Sequence, residues 1–381
     1  MVAILEQNHN KTISSPEYIK TSLASAIGLR FKSGRFYRDA KPLCINLLLS
    51  YPDNCYANCA YCGLARSRPQ NNGEKSFIRV DWPVLKTEDV IERLEKYQSN
   101  IRRVCVSMVT HKNAVSDTFS ITKQITQCCP SPISVLITPN LMNKEDLIML
   151  KEIGADTIGI GLDAASKRVF ELTRGKKVKG NLVWEKYWEV LEDAVDVFGR
   201  EKISCHIMVG IGETDSELVE IFFKLRECGA LAHLFSFYPE PDSTMSLKNR
   251  PSLRRFRRIQ LVRYLIENEI IKEEHLLCDG KEKISILLTN NNIINSIIES
   301  GKPFITGGCK GKNGEIGCNR PFGSYRPGEP FRDFPFQPES DDILRIRKET
   351  KLCEIIDKSP PTSCFRSYRA YFRQESSGGG N

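Results

Sequence analysis

The chain has no apolar run of about eighteen residues or more, so it offers no segment of the length that spans a membrane as a helix. Its first twenty residues are polar and lack the apolar core of an export signal. Both absences point to a soluble, cytoplasmic protein. Without an export signal, the fourteen cysteines do not read as a disulfide framework and are taken instead as ligands or as small buried apolar residues. Extreme charge is also missing: the net charge of +8 is spread along the chain. One dense basic run, Arg254-Arg255-Phe256-Arg257-Arg258, opens a helix-periodic stretch continued by Ile259, Val262 and Ile266. It reads either as a solvated helix face or as a docking surface for an acidic partner. No aromatic stacking pattern accompanies it, which argues against nucleic acid.

What is present centres on Cys55-Tyr56-Ala57-Asn58-Cys59-Ala60-Tyr61-Cys62. Three cysteines at CxxxCxxC spacing follow the strand-like run Cys44 to Leu49, so one tight loop can present three thiolates to one object. A closed tetrahedral site would need a fourth ligand, and none lies in the loop. Three thiolates suit a four-iron, four-sulfur cluster with one iron left open.

Downstream, short apolar runs alternate with amphipathic helices, the pattern of βα units around a parallel sheet. The six runs are Cys44 to Ser50, Val104 to Val109, Ile133 to Thr138, Thr157 to Leu162, Ile203 to Gly210 and His233 to Phe237. Between them, Thr87 with Glu88 and Asp89 marks a helix start. Asn143 can cap a helix with Leu147, Met149 and Leu150 inside and Gly154 as its stop. Trp184, Tyr187, Trp188, Leu191, Val195 and Phe198 form a core-facing stripe. The expected fold is α/β, a partial (β/α)6 TIM-type barrel over residues 41–240 with chemistry at the C-terminal ends of its strands. Residues 1–40 are expected to form an N-terminal helical cap. Residues 241–381 hold helices and a loop-rich C-terminal extension whose weak periodicity suits a region held by a metal cluster.

These features resemble the radical S-adenosylmethionine (radical SAM) superfamily, in its biotin-synthase-like branch. The resemblance rests on the cysteine loop, on Leu162-Asp163 with the later Thr173-Arg174, and on His206-Ile207-Met208-Val209-Gly210-Ile211-Gly212-Glu213. It implies a 4Fe-4S cluster on Cys55, Cys59 and Cys62 whose open iron takes SAM, and a deoxyadenosyl radical as the oxidant. Tyr61, Ser107, Asp163, Arg174, Gly210, Gly212 and Glu213 are the implied SAM contacts. A carboxylate at Asp163 suits two ribose hydroxyls, and a guanidinium at Arg174 suits a carboxylate. The second strand reads Val106-Ser107-Met108-Val109-Thr110-His111 where many members of the superfamily carry Gly-Gly-Glu, so the amine contact stays unassigned, with Ser107 or a neighbouring carbonyl as candidates.

The tail adds Cys309, Cys318, Cys353 and Cys364-Phe365-Arg366-Ser367-Tyr368. The last stretch is similar to the tail of lipoyl synthases, and the chain most resembles the two-protein lipoyl synthases. That likeness implies an auxiliary 4Fe-4S cluster on Cys309, Cys318, Cys364 and Ser367, with Cys353 in reserve. Sulfur from it would enter an octanoyl chain on a carrier-protein lysine. The implied partners are an octanoylated lipoyl-carrier protein, a sister radical SAM protein, and ferredoxin or flavodoxin as electron donor. Cys105, Cys205, Cys228 and Cys278 lie in apolar runs and read as packing residues. Two other classes stay open: a radical SAM enzyme whose second cluster is structural or electron-transferring, and a non-catalytic cluster carrier.

Overall fold

The computed structural model describes residues 13–53, 55–68, 80–278, 284–286, 291–320 and 330–351. Six parallel strands form the body of one open sheet. They are β2 (Cys44–Leu49), β4 (Arg103–Ser107), β5 (Ile133–Ile137), β6 (Ala155–Asp163), β7 (Ile203–Val209) and β8 (Ala230–Ser236). All six expected runs are therefore strands, in sequential order. Near-continuous apolar sequence makes them so, because a parallel strand covered on both faces has no solvated side to make polar. β2, for instance, reads CINLLL and has five of its six residues buried.

The sheet gains two antiparallel strands, β1 (Tyr18–Thr21) and β3 (Val84–Lys86), in the order β3-β1-β2-β4-β5-β6-β7-β8. The N-terminal region is thus only partly helical. Its helix α1 (Leu23–Gly28) starts where the Ser22 hydroxyl accepts the Ser25 N–H at 3.2 Å, and Ile19, Lys20 and Thr21 before it pair with β2.

The connecting helices are α2 (Thr87–Tyr97), α3 (Ala114–Cys128), α4 (Lys144–Glu152), α5 (Lys167–Thr173), α6 (Trp184–Phe198) and α7 (Asp215–Cys228). Asn143 caps α4 in a reciprocal box with Asp146, accepting its N–H at 2.9 Å. Met149, expected inside, is exposed, because α4 turns only Leu147 and Leu150 fully inward. The stripe on α6 is core: Tyr187, Trp188 and Leu191 are buried.

Beyond β8 lie α8 (Leu253–Glu267), a two-stranded ribbon of β9 (Leu276–Cys278) and β10 (Ile284–Ile286), α9 (Asn291–Glu299) and α10 (Ser340–Thr350). In the basic run on α8, Arg254 is exposed, whereas Arg255, Arg257 and Arg258 are engaged within the chain. Arg257 is 1% exposed, pairs with Glu349 at 2.8 Å and donates to the carbonyls of Phe331 and Arg332, both at 2.6 Å. Arg255 binds Asp215 at 2.7 Å, and Arg258 donates to the Thr350 carbonyl at 3.0 Å. The positive charge fastens the C-terminal segments to the barrel, since a buried guanidinium is tolerated only where paired. Arg38 likewise grips Asp342 with two bonds, 2.6 and 3.1 Å. One continuous apolar core runs from Ile19 through the barrel to Ile346. Among the described residues, no helix is long and apolar enough to cross a membrane.

Candidate active site

A cavity of about 290 Å³ runs through the interior of the sheet. Its upper end, at the C-terminal ends of the strands, is lined by Cys55, Cys59 and Cys62. The loop that carries them is held by main chain on both sides. Tyr56 N–H donates to the Thr110 carbonyl at 2.7 Å, Ala60 N–H to Thr173 at 2.8 Å, and Met245 N–H to Ala60 at 3.1 Å. Two sulfurs accept backbone donors: Thr110 N–H lies 3.4 Å from Cys55 Sγ, and Leu64 N–H lies 3.3 Å from Cys62 Sγ. Such donors suit thiolates that carry charge into a metal site. Burial pushes the Cys59 and Cys62 thiols up, so in the absence of metal they hold their protons.

Asp163, Arg174 and Tyr61 meet beside this loop. Asp163 ends β6 in the left-handed region, φ 59°, and accepts the Tyr61 hydroxyl at 2.6 Å. Arg174 lies 3.6 Å from Asp163, donates to the carbonyls of Gly161 and Leu162, and reaches Tyr187 Oη at 3.0 Å. Its Nε is buried without a partner, and the space above Gly161 is open, so the cradle keeps room for a polar ligand. Ser107 lines the same cavity.

Gly210, Gly212 and Glu213 are placed differently. The Glu213 carboxylate turns back into its own loop and accepts the N–H groups of Gly210, Ile211 and Gly212 at 2.7, 2.9 and 3.0 Å. Arg255 balances it at 3.1 Å. None of the three lines the cavity, and their evident work is to shape the turn after β7. Gly210 has φ 108°, and a Cβ there would fall 2.6 Å from Pro251, so only glycine fits.

The lower end combines expected residues with unexpected ones. Cys309 and Cys318 lie in the wall together with Cys105, which had read as a packing residue. Cys309 Sγ is 3.9 Å from Ser204 Oγ, and Cys318 Sγ is 4.0 Å from Asn46 Oδ1. Cys44 Sγ is 3.8 Å from that same Asn46 oxygen. The neighbouring Cys44 thiol, helped by the Arg320 and Arg103 charges, draws the Cys318 thiol below its ordinary value. His206, His233, Phe235 and Arg320 complete the floor. Burial, with the Arg320 charge nearby, takes His206 down to about 3, so it stays neutral. The signal available in the sequence was parity: Cys44/Asn46, Cys105/Ser107 and Ser204/His206 put small or polar residues at every second position of otherwise apolar strands, and alternate positions share one face. Cys353, Cys364 and Ser367 lie outside the described residues.

Among the described residues, no three His, Cys, Asp or Glu side chains close on a single metal-ion position.

Comparison with known proteins agrees with this geometry. Residues 49–225 match the Radical SAM superfamily model. The chain is 24% identical over 242 residues to a biotin synthase from Hydrogenobaculum sp., covering 60% of this chain and 65% of that one. A biotin synthase from Streptococcus agalactiae is 22% identical over 48% of this chain and 52% of its own length. The chain thus spans between half and two thirds of these relatives. Among solved structures, methylornithine synthase (PylB) aligns with a TM-score of 0.47 at 11% identity, over 64% of this chain and 66% of that one. The hydrogenase maturase HydG from Carboxydothermus hydrogenoformans aligns at 0.45 and 14%, over 90% and 73%.

Proposed function

From the premise that this chain belongs to the radical SAM superfamily, in its biotin-synthase-like branch, we propose that it is a sulfur-inserting enzyme of the lipoyl synthase type. Its substrate would be an octanoyl chain on the lysine of a carrier protein, and its sulfur source a second 4Fe-4S cluster. One observation carries the reading: a single cavity joins the three-cysteine loop to the thiols of Cys309 and Cys318. A substrate carbon in that space would stand between a site of hydrogen removal and a site of sulfur.

When bound, SAM and the first cluster supply hydrogen-atom abstraction, and the second cluster supplies sulfide. The chain's own residues bind, orient and exclude water. Cys55, Cys59 and Cys62 would hold the first cluster. Asp163, kept in place by Tyr61, offers a carboxylate to ribose hydroxyls. Arg174 adds a cation whose Nε is unpartnered, while Gly161 leaves space for close approach. Between the two ends, Leu48, Leu136, Met208 and Phe235 line an apolar wall that suits an alkyl chain and keeps water out. For the second cluster, Cys309 and Cys318 are the described candidates, and Cys364 with Ser367 is the pair added by the tail resemblance. An octanoylated carrier, a sister radical SAM protein and a ferredoxin or flavodoxin in the reducing cytoplasm complete the proposed setting.

The test is anaerobic incubation of the reconstituted protein with SAM, a reductant and an octanoyl-lysine peptide. Deoxyadenosine together with a peptide heavier by one sulfur atom or two is the expected result. Deoxyadenosine without sulfur would leave a radical SAM enzyme whose second cluster does not donate. Neither product would leave a cluster carrier.

A further inference from the structure

We propose that the second cluster is held by Cys44, Cys105, Cys309 and Cys318, a ligand set complete without Cys353, Cys364 or Ser367; this rests on the reading above only in taking the group to be an iron-sulfur cluster.

The four thiols come from three separate pieces of chain, gathered around the Asn46 position of β2. Cys44 opens β2, and Cys105 lies on β4 directly across from Asn46. Cys309 and Cys318 close a turn inserted beneath the sheet, in which the Cys309 carbonyl accepts the N–H groups of Gly317 and Cys318 at 3.1 and 3.0 Å. Gly308 makes that closure possible, since a Cβ there would lie 2.0 Å from the Cys318 carbonyl oxygen. Two polar side chains accompany the set. Asn46 touches both Cys44 and Cys318, while Ser134, whose hydroxyl donates to the Val104 carbonyl at 3.5 Å, lines the cavity with Cys105 and Cys309.

The turn is fastened to the strand ends. Arg103, 2% exposed, donates to the Lys310 carbonyl at 2.7 Å and binds Asp156 with two bonds, 2.6 and 2.9 Å. Asn319 accepts the Leu43 N–H at 3.1 Å and donates to the carbonyls of Lys41 and Pro335 at 2.8 and 3.0 Å. Such rigid backing is what a ligand set needs.

Charge supplies an independent argument. On metal binding each thiol releases its proton, so four thiolates bring negative charge into a closed space. Arg320, two residues from Cys318 and half-buried, stacks over Phe235 at 3.9 Å, with its Nε and Nη2 out of water and without a hydrogen-bond partner among the described residues. An unpaired buried cation is costly unless something anionic faces it.

The measurement is iron, sulfide and zinc per chain after anaerobic reconstitution, in a background where Cys55, Cys59 and Cys62 are alanine. That background should retain roughly four irons. Cys44→Ala and Cys105→Ala should each lose at least half of them. A Cys353→Ala, Cys364→Ala, Ser367→Ala variant and the buried control Cys205→Ala should keep them all. Full iron in Cys44→Ala or Cys105→Ala, loss of iron in the tail variant, or zinc in place of iron would each overturn the assignment. If an alanine variant fails to fold by circular dichroism, the corresponding serine variant is used, and the expected result is a displaced electron paramagnetic resonance spectrum; an unchanged spectrum counts against the site. The count is independent of the reaction. A site that depends on Cys44 and Cys105 in a protein that makes no thiolated peptide sinks the sulfur-donor reading alone, and thiolated peptide with iron indifferent to both cysteines sinks the ligand set alone.

Discussion

The two ends of the cavity are built on opposite plans. At the upper end, three cysteines sit within eight consecutive residues of one loop, and the strands merely hold that loop in place. At the lower end, Cys44 and Cys318 are 274 positions apart in the chain and meet only because a turn from beyond the barrel is bolted under it. A local motif needs one well-placed loop, whereas a dispersed one needs the whole sheet and its C-terminal straps. The lower end should therefore depend on fold integrity far more than the upper.

The largest effect breaks the upper end alone. Cys59→Ala should abolish SAM cleavage, measured as deoxyadenosine released, while the iron of the lower site persists; retained cleavage would remove the cofactor assignment. Next, Arg103→Met unties the lower turn and strands Asp156, which is partly hydrated at 33% side-chain exposure. We expect a loss of about 3 kcal/mol in a denaturant titration, the low end for a broken buried pair, with reduced iron at the lower site. Loss of stability without loss of iron would show that the turn does not need its anchor. The smallest effect is a control far from both ends. Asn143→Ala removes the cap of α4 and should cost about 1 kcal/mol in the same titration, leaving deoxyadenosine yield and iron count unchanged.

Much of this was legible residue by residue. Six strands could be read because apolar runs of five to nine residues between capped helices have few other stable outcomes, and Asn143 and Gly154 marked the ends of α4 as expected. The antiparallel pair was not, since β1 and β3 are only four and three residues long and owe their existence to the exposed edge of β2. The basic run on α8 misled for a related reason. Arginines spaced to face water and arginines spaced to bind carbonyls look identical until the partners at Phe331, Arg332 and Glu349 are in place. Glu213 was expected to contact SAM, whereas its carboxylate accepts three N–H groups of its own loop.

By itself, then, the sequence determined the six parallel strands, the capped helices and the three-cysteine loop, because each is written in residues close together and follows from local geometry and apolar periodicity. Only the tertiary structure decided that Cys105 faces the same space as Cys309 and Cys318, that Cys44 and Cys318 reach the same Asn46 oxygen, and that one cavity connects Cys105, Cys309 and Cys318 to Cys55, Cys59 and Cys62. Alternation along a strand says that two faces exist. Which face becomes the interior, and at what depth a distant turn meets it, is fixed by packing across the whole chain.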